Sequence, residues 1–340
     1  MTRNYTLDFY KLIATFAICF HHFIGYFNIQ IEQNFYLFVE LFFIISGLFL
    51  YKSFTVNKND NEISYTKKRL KKLYPHYLLS FAILYLLLLF KNAITSNINI
   101  ENFLFVPLSE IFMISKVGIF NKIINYPTWY LSVVIVGGYF IYYLLKNNHE
   151  KFIKFTGPLI ILASYTLINS LTNGTIEIWD NVLIFCIPLL RGTSDMIIGC
   201  ILGAILEQKK YLFTLKVSPY YIKLFELIMF FLLFILLTHK TNCELYVLLI
   251  FPILILLSYN KNSISNILFN KKIFQKLSVV CYPMYLNHVI IIKGFSVIFN
   301  EPINLYFVTP IYFVILILYS LLTIKILDKI IIFLKQTKTN

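Results

Sequence analysis

The chain has 340 residues, of which 59% are hydrophobic and 14% charged, with a formal net charge of +14. That apolar share exceeds the usual soluble composition, and it recurs from end to end in runs between short polar loops, which excludes a soluble globular domain. The basicity would suit nucleic acid if it formed one patch, but it alternates from loop to loop, which excludes that partner too.

Apolar runs of about 20 residues cross a bilayer as helices, because lipid offers the backbone no hydrogen-bond partners. The predicted fold class is all-α: a polytopic integral membrane protein, one domain over 1–340 with no soluble domain attached. Ten spans are read at 8–27, 35–54, 75–91, 128–146, 153–172, 183–206, 221–238, 243–258, 278–298 and 305–328. Lys and Arg gather in alternate loops: Lys52 to Lys72 after span two, Lys146 to Lys154 after span four, Lys209, Lys210, Lys216 and Lys223 after span six, and Lys261 to Lys276 after span eight. The intervening loops hold only Lys91, Lys116, Lys122 and Lys240. This bias places both termini in the cytoplasm.

Span one is apolar, yet it carries Asp8, Lys11, His21 and His22. A charged residue near the bilayer centre costs roughly 2.5–3.5 kcal/mol on insertion scales, so such groups usually serve a cavity, a partner or a reaction. Lys11 and His22 stand about 16 Å apart along one helix, near opposite membrane faces. No small-residue cleavage site follows, so the segment is read as a mature helix and not a signal peptide. Span two returns with Glu40 at a depth matching His22, which predicts contact between carboxylate and imidazole. Such a pair fixes a general base; a hydrogen-bonded core histidine beside an interfacial carboxylate is the plainer alternative.

Ser46 and Gly47 then read as close helix packing. The cluster Lys67 to Lys72 precedes Pro75, which is placed where a helix start tolerates proline. Its cations could hold the phosphates of a soluble anionic cofactor or anchor lipid headgroups. Loop 91–127 contains a stretch, Phe103 to Phe112, apolar enough to re-enter the membrane, and Trp129 and Tyr130 open span four. Arg191 and Asp195 in span six share a face at i,i+4, where they can pair. His288 lies near the middle of span nine, where Pro283 predicts a kink that frees carbonyls toward a cavity. The five cysteines are scattered without a Cys-x-x-Cys pair, so neither disulfides nor a metal site is expected. A transporter of a lipid-linked sugar would also need intramembrane charge, but it predicts internal repeats, and none is visible.

Taken in order, several motifs resemble one family, the membrane acyltransferases of type 3. Leu7-Asp8 and Lys11, followed by His22, resemble the family's basic-x10-His signature, with Lys11 where most members have Arg. Glu40 to Gly47 resembles its acidic-Leu-Phe-Phe-x-x-Ser-Gly motif, and Lys68-Arg69 to Lys72 and Pro75 its basic turn. Thr128 to Ser132 resembles its Trp-x-Leu element, and Arg191 to Gly203 and Ser278 to His288 its later spans. The Val-Glu-Glu-Gln-like run of some subgroups is replaced by Val133-Val134-Ile135-Val136.

The resemblance implies transfer of an acetyl or other short acyl group from acyl-CoA to a hydroxyl of a cell-surface or lipid-linked glycan, in the bacterial cytoplasmic membrane. It implies His22 as general base oriented by Glu40, with Lys11, Lys68, Arg69 and Lys72 binding the phosphates of acetyl-CoA. Trp129, Arg191, Asp195 and His288 would line the substrate pathway, with Arg191 and His288 alternatively steadying the developing oxyanion. No permanently bound cofactor is implied; acetyl-CoA is a cosubstrate, and the implied partners are membrane lipid, acyl-CoA and the glycan acceptor. A covalent acyl-histidine would serve as well as direct attack.

Overall fold

The structure is a computed structural model that describes residues 3–95, 104–118, 122–176, 186–208, 218–298 and 305–336. Lys209, Lys210 and Lys216 of the third basic loop, Phe103 and the first residues of predicted span six lie outside these segments. Among the described residues, 85% are helical and none forms a strand. Nine helices among them are long and apolar enough to cross a membrane.

In chain order the helices are α1 (Tyr5–Tyr26), α2 (Phe38–Val56), α3 (Glu62–Thr95), α4 (Val106–Ile111), α5 (Trp129–Asn147), α6 (His149–Lys151), α7 (Gly157–Thr172), α8 (Ile187–Gln208), α9 (Pro219–Thr238), α10 (Val247–Ser258), α11 (Ile264–Phe269), α12 (Lys272–Leu277), α13 (Cys281–Ile298) and α14 (Leu305–Gln336). The predicted span 243–258 becomes Glu244–Ser258, whose 15 residues rise about 22 Å, short of a hydrocarbon core of about 30 Å. It packs against α2, α8 and α9, a shorter apolar helix beside the nine long ones.

Pro75 does not open span three. The helix begins at Glu62 and runs through the proline. The cations read as a loop cluster therefore ride on helical turns, where positions 68, 69, 72, 73 and 76 share one face. Span nine bends earlier than Pro283 suggested: α12 passes through a 3-10 turn, Ser278–Val280, into α13, and Pro283 sits in the first turn of α13, where its missing N–H costs little.

Five helices close a ring, with α1 against α2, α2 against α5, α5 against α3, α3 against α13, and α13 back against α1. Outside it, α8 lies along α2 and α5, while α14 covers α13 and α3. The α2–α8 seam is the tightest contact, and glycine makes it so. A Cβ on Gly47 would stand 1.8 Å from the Met196 carbonyl oxygen, and one on Gly199 would stand 2.0 Å from that of Ile44. Neither approach tolerates a side chain, so the Ser46-Gly47 motif packs helices as expected.

The larger core joins α1, α2, α5, α8 and α10 through residues such as Ala14, Phe43, Leu48, Val133 and Cys200. A second core joins α1, α13 and α14 through Cys19, Phe23, Met284 and Tyr312. Between these cores α1 is held on both flanks, with its two histidines near one end. Asn4 caps its other end by accepting the Thr6 N–H, and the Asn4 amide reaches the Ser258 carbonyl.

Candidate active site

The ring encloses a cavity of about 1120 Å³ that opens at the end of the bundle carrying the basic loops. Lys11, Lys68, Arg69 and Lys72, the four predicted phosphate ligands, all line it. Arg3 and Lys52 join them, which sequence reasoning had not singled out. Six cations face one carboxylate, Asp8, among the described lining residues. Such a basin concentrates a polyanion, since low-dielectric walls focus the field of like charges.

Asp8 is buried and accepts hydrogen bonds from Lys11 Nζ at 2.6 Å and Arg3 Nη2 at 3.0 Å, which aims both cations along the wall. Lys68 pairs with Asp60 at 2.7 Å at the rim. Arg69 donates to Ser46 Oγ at 3.2 Å, and its buried Nε has no partner. Ser46 lies 2.7 Å from the Tyr130 hydroxyl, which itself donates to the Phe42 carbonyl at 3.1 Å. Ser46 thus does more than pack: it links a cavity cation to an aromatic residue at the cavity's inner end.

His22 lies beyond that inner end, about two turns along α1 from Thr15, the deepest cavity residue of that helix. The predicted contact with Glu40 is absent. Instead the His22 ring stacks on His288, with centroids 5.1 Å apart and planes 12° from parallel, and Tyr126 meets it edge-on at 4.8 Å. His21 turns the other way, to the Gln33 amide and the Tyr36 ring. Matching positions along two helices do not set their rotation, and Glu40 on α2 faces α8. Gly47 and Gly199 press α2 onto α8, and that carries Glu40 away from α1.

Glu40 binds Arg191, whose Nε donates at 2.5 Å, while Arg191 Nη1 donates to the Ile176 carbonyl at 3.1 Å. Both side chains are fully buried. Trp129, expected at a pathway or an interface, is buried with the Arg191 guanidinium 5.8 Å from its ring centre. Asp195 does not take Arg191, although the spacing allowed it; it accepts from the Tyr165 hydroxyl. The i,i+4 spacing permitted the pair, but Glu40 on the facing helix offered the guanidinium a closer carboxylate. Trp129, Arg191 and Asp195 therefore form a buried polar knot between α2, α5, α7 and α8, outside the cavity lining.

His288 is fully buried, and its Nδ1 lies 2.7 Å from the Tyr285 carbonyl. A carbonyl only accepts, so Nδ1 carries the hydrogen and Nε2 presents a lone pair, which has no partner. In that tautomer His288 accepts and does not donate, which argues against it as an oxyanion donor. Two imidazoles thus sit face to face past the end of a cationic cavity. The spacing of Tyr282, Tyr285 and His288 at every third residue was the available hint that all three share a face. Nothing in the sequence paired α13 with α1.

No metal-binding group of three or more His, Cys, Asp or Glu exists among the described residues. Neither a curated protein nor a solved structure matches the chain. Residues 4–327 match the family model described as an acyltransferase domain. That is essentially the whole chain, and it takes in all five helices of the ring together with both histidines. The chain accordingly belongs to the acyltransferase-3 family, and it is a membrane enzyme that transfers acyl groups.

Proposed function

We propose that the protein transfers an acetyl group from acetyl-CoA to a hydroxyl of a cell-surface or lipid-linked polysaccharide. The observation that supports this most is the division of the ring. A cation-rich cavity opens at one end, and a histidine pair lies past its inner limit. The basic loops favour a cytoplasmic mouth, where acyl-CoA is found, and the histidines then lie toward the outer face.

In this reading the CoA phosphates bind Lys11, Arg69 and Lys72, with Arg3 and Lys52 as further cations, and the acyl thioester points inward. His22 takes the proton from the acceptor hydroxyl as its oxygen attacks the thioester carbonyl, and the proton passes to the departing CoA thiolate. His288 holds His22 in place by stacking. Glu40 has no part in orienting the base; it holds Arg191.

Membranes containing the protein, incubated with radiolabelled acetyl-CoA and cell-envelope polysaccharide, test the reading. Wild type is expected to label the polysaccharide. His22→Ala should lose at least about a hundredfold of that rate, the scale of general-base catalysis, while still binding acetyl-CoA. His21→Ala should keep most of it. Normal labelling by His22→Ala would remove the base from this mechanism.

A further inference from the structure

The cavity stops at a layer of rings. Followed inward from the basic end, the last lining residues of α2, α5 and α13 are Phe42, Tyr130 and Tyr285. Tyr130 and Tyr285 have centroids 5.8 Å apart, and each lies 6.2 Å from Phe42, all edge to face. At those spacings the rings are in contact and leave no passage between them. Tyr285 also lies 6.0 Å from His288, so one side of its ring faces the cavity and the other the histidine pair.

Each hydroxyl is tied down. Tyr285 donates to the Pro127 carbonyl at 2.6 Å, and Tyr130 donates to the Phe42 carbonyl while bonded to Ser46. Rings pinned to backbone carbonyls pivot over a small range. A thioester must come within about 3–3.5 Å of its attacking oxygen. A donor whose phosphates rest on the cavity cations therefore has to pass its acyl end between these rings to be used at His22.

We propose that Tyr130 and Tyr285 form the aperture through which the acyl group passes, and that this aperture selects short acyl groups over long ones. The inference rests on acyl-CoA being the donor. It assigns the selection to the rings themselves and leaves the affinity for the CoA portion to the cations at the mouth.

Full-length protein in proteoliposomes, given radiolabelled acetyl-, butyryl- or hexanoyl-CoA, separates binding from transfer to cell-envelope polysaccharide. Wild type should bind all three within about threefold, yet transfer acetyl roughly tenfold or more faster than hexanoyl, since pocket size discriminates by about 10–200-fold per methylene. Tyr285→Ala and Tyr130→Ala should raise the hexanoyl-to-acetyl ratio of kcat/KM by about tenfold. Tyr285→Phe keeps the ring but loses its tie to the Pro127 carbonyl, and should raise the ratio less than Tyr285→Ala does. Tyr285→Leu and Tyr130→Leu replace any alanine variant that does not fold, and are judged on the same ratio. An unchanged ratio in variants that still bind acetyl-CoA would overturn the aperture alone. Failure of wild type to bind any of the three donors would overturn the donor reading, and this inference with it.

Discussion

Arg191 is the largest side chain that the described residues bury completely, and Glu40, the Ile176 carbonyl and the Trp129 ring hold it there. A guanidinium in that position survives only with its partners, because removing one leaves an uncompensated buried charge at a cost of about 3–5 kcal/mol. Glu40→Gln and Arg191→Met are therefore each expected to lower the unfolding temperature sharply in detergent. Glu40→Leu combined with Arg191→Met should recover much of the loss, since an apolar pair of similar volume is often as stable as the ion pair. The same variants bear on catalysis. Glu40→Gln that remains folded should leave the pH profile of acyl transfer where it was, as a residue remote from His22 must; a shifted profile would return Glu40 to the base.

Among the elements, the short helix α4 has the clearest consequence for the site. Its Glu110 is buried, and its carboxylate accepts the backbone N–H groups of Ile124 and Asn125. The Asn125 amide donates in turn to the Leu286 carbonyl at 3.1 Å. This fastens the segment that leads to Tyr126, against His22, and to Pro127, whose carbonyl holds Tyr285. Burial pushes the Glu110 carboxyl up to about 7, against the two backbone N–H groups and Lys293, which pull it down. With the folded value raised, the folded protein keeps a proton that the unfolded chain has released. The stability from this group is full below about pH 4.5 and is lost as pH rises toward 7. Unfolding temperatures across that window should fall for wild type, and Glu110→Gln should remove this part of the slope.

At the scale of the whole molecule, the charge bias and the cavity make one claim about sidedness. The mouth lined by Lys52, Lys68 and Lys72 should face the cytoplasm, and the loop between α9 and α10 the outside. That outer loop carries an exposed native cysteine, Cys243. A membrane-impermeant maleimide should label Cys243 on intact cells, and should label Asn59→Cys, in the loop between α2 and α3, only after permeabilisation. The reverse pattern would invert the protein and separate the cavity from cytoplasmic acyl-CoA.

The chain by itself determined the all-helical class and nearly every span. These follow from local properties: the length of an apolar run, the rise per residue and the placement of cations between runs. The cavity cations Lys11, Lys68, Arg69 and Lys72 came from the resemblance to the family's motifs, since charge alone left the cluster open between a phosphate site and a lipid anchor. Only the tertiary structure decided which helices face which. Glu40 could be set beside His22 from the chain alone, yet Gly47 and Gly199 let α2 approach α8 closely and Glu40 binds Arg191 there. His22 meets His288 across 266 positions of chain, a contact fixed by the packing of α1 into α13 and by no local pattern. Periodicity states which residues share a face of one helix. The partner of that face is set by the shapes of two surfaces that meet only in the folded bundle.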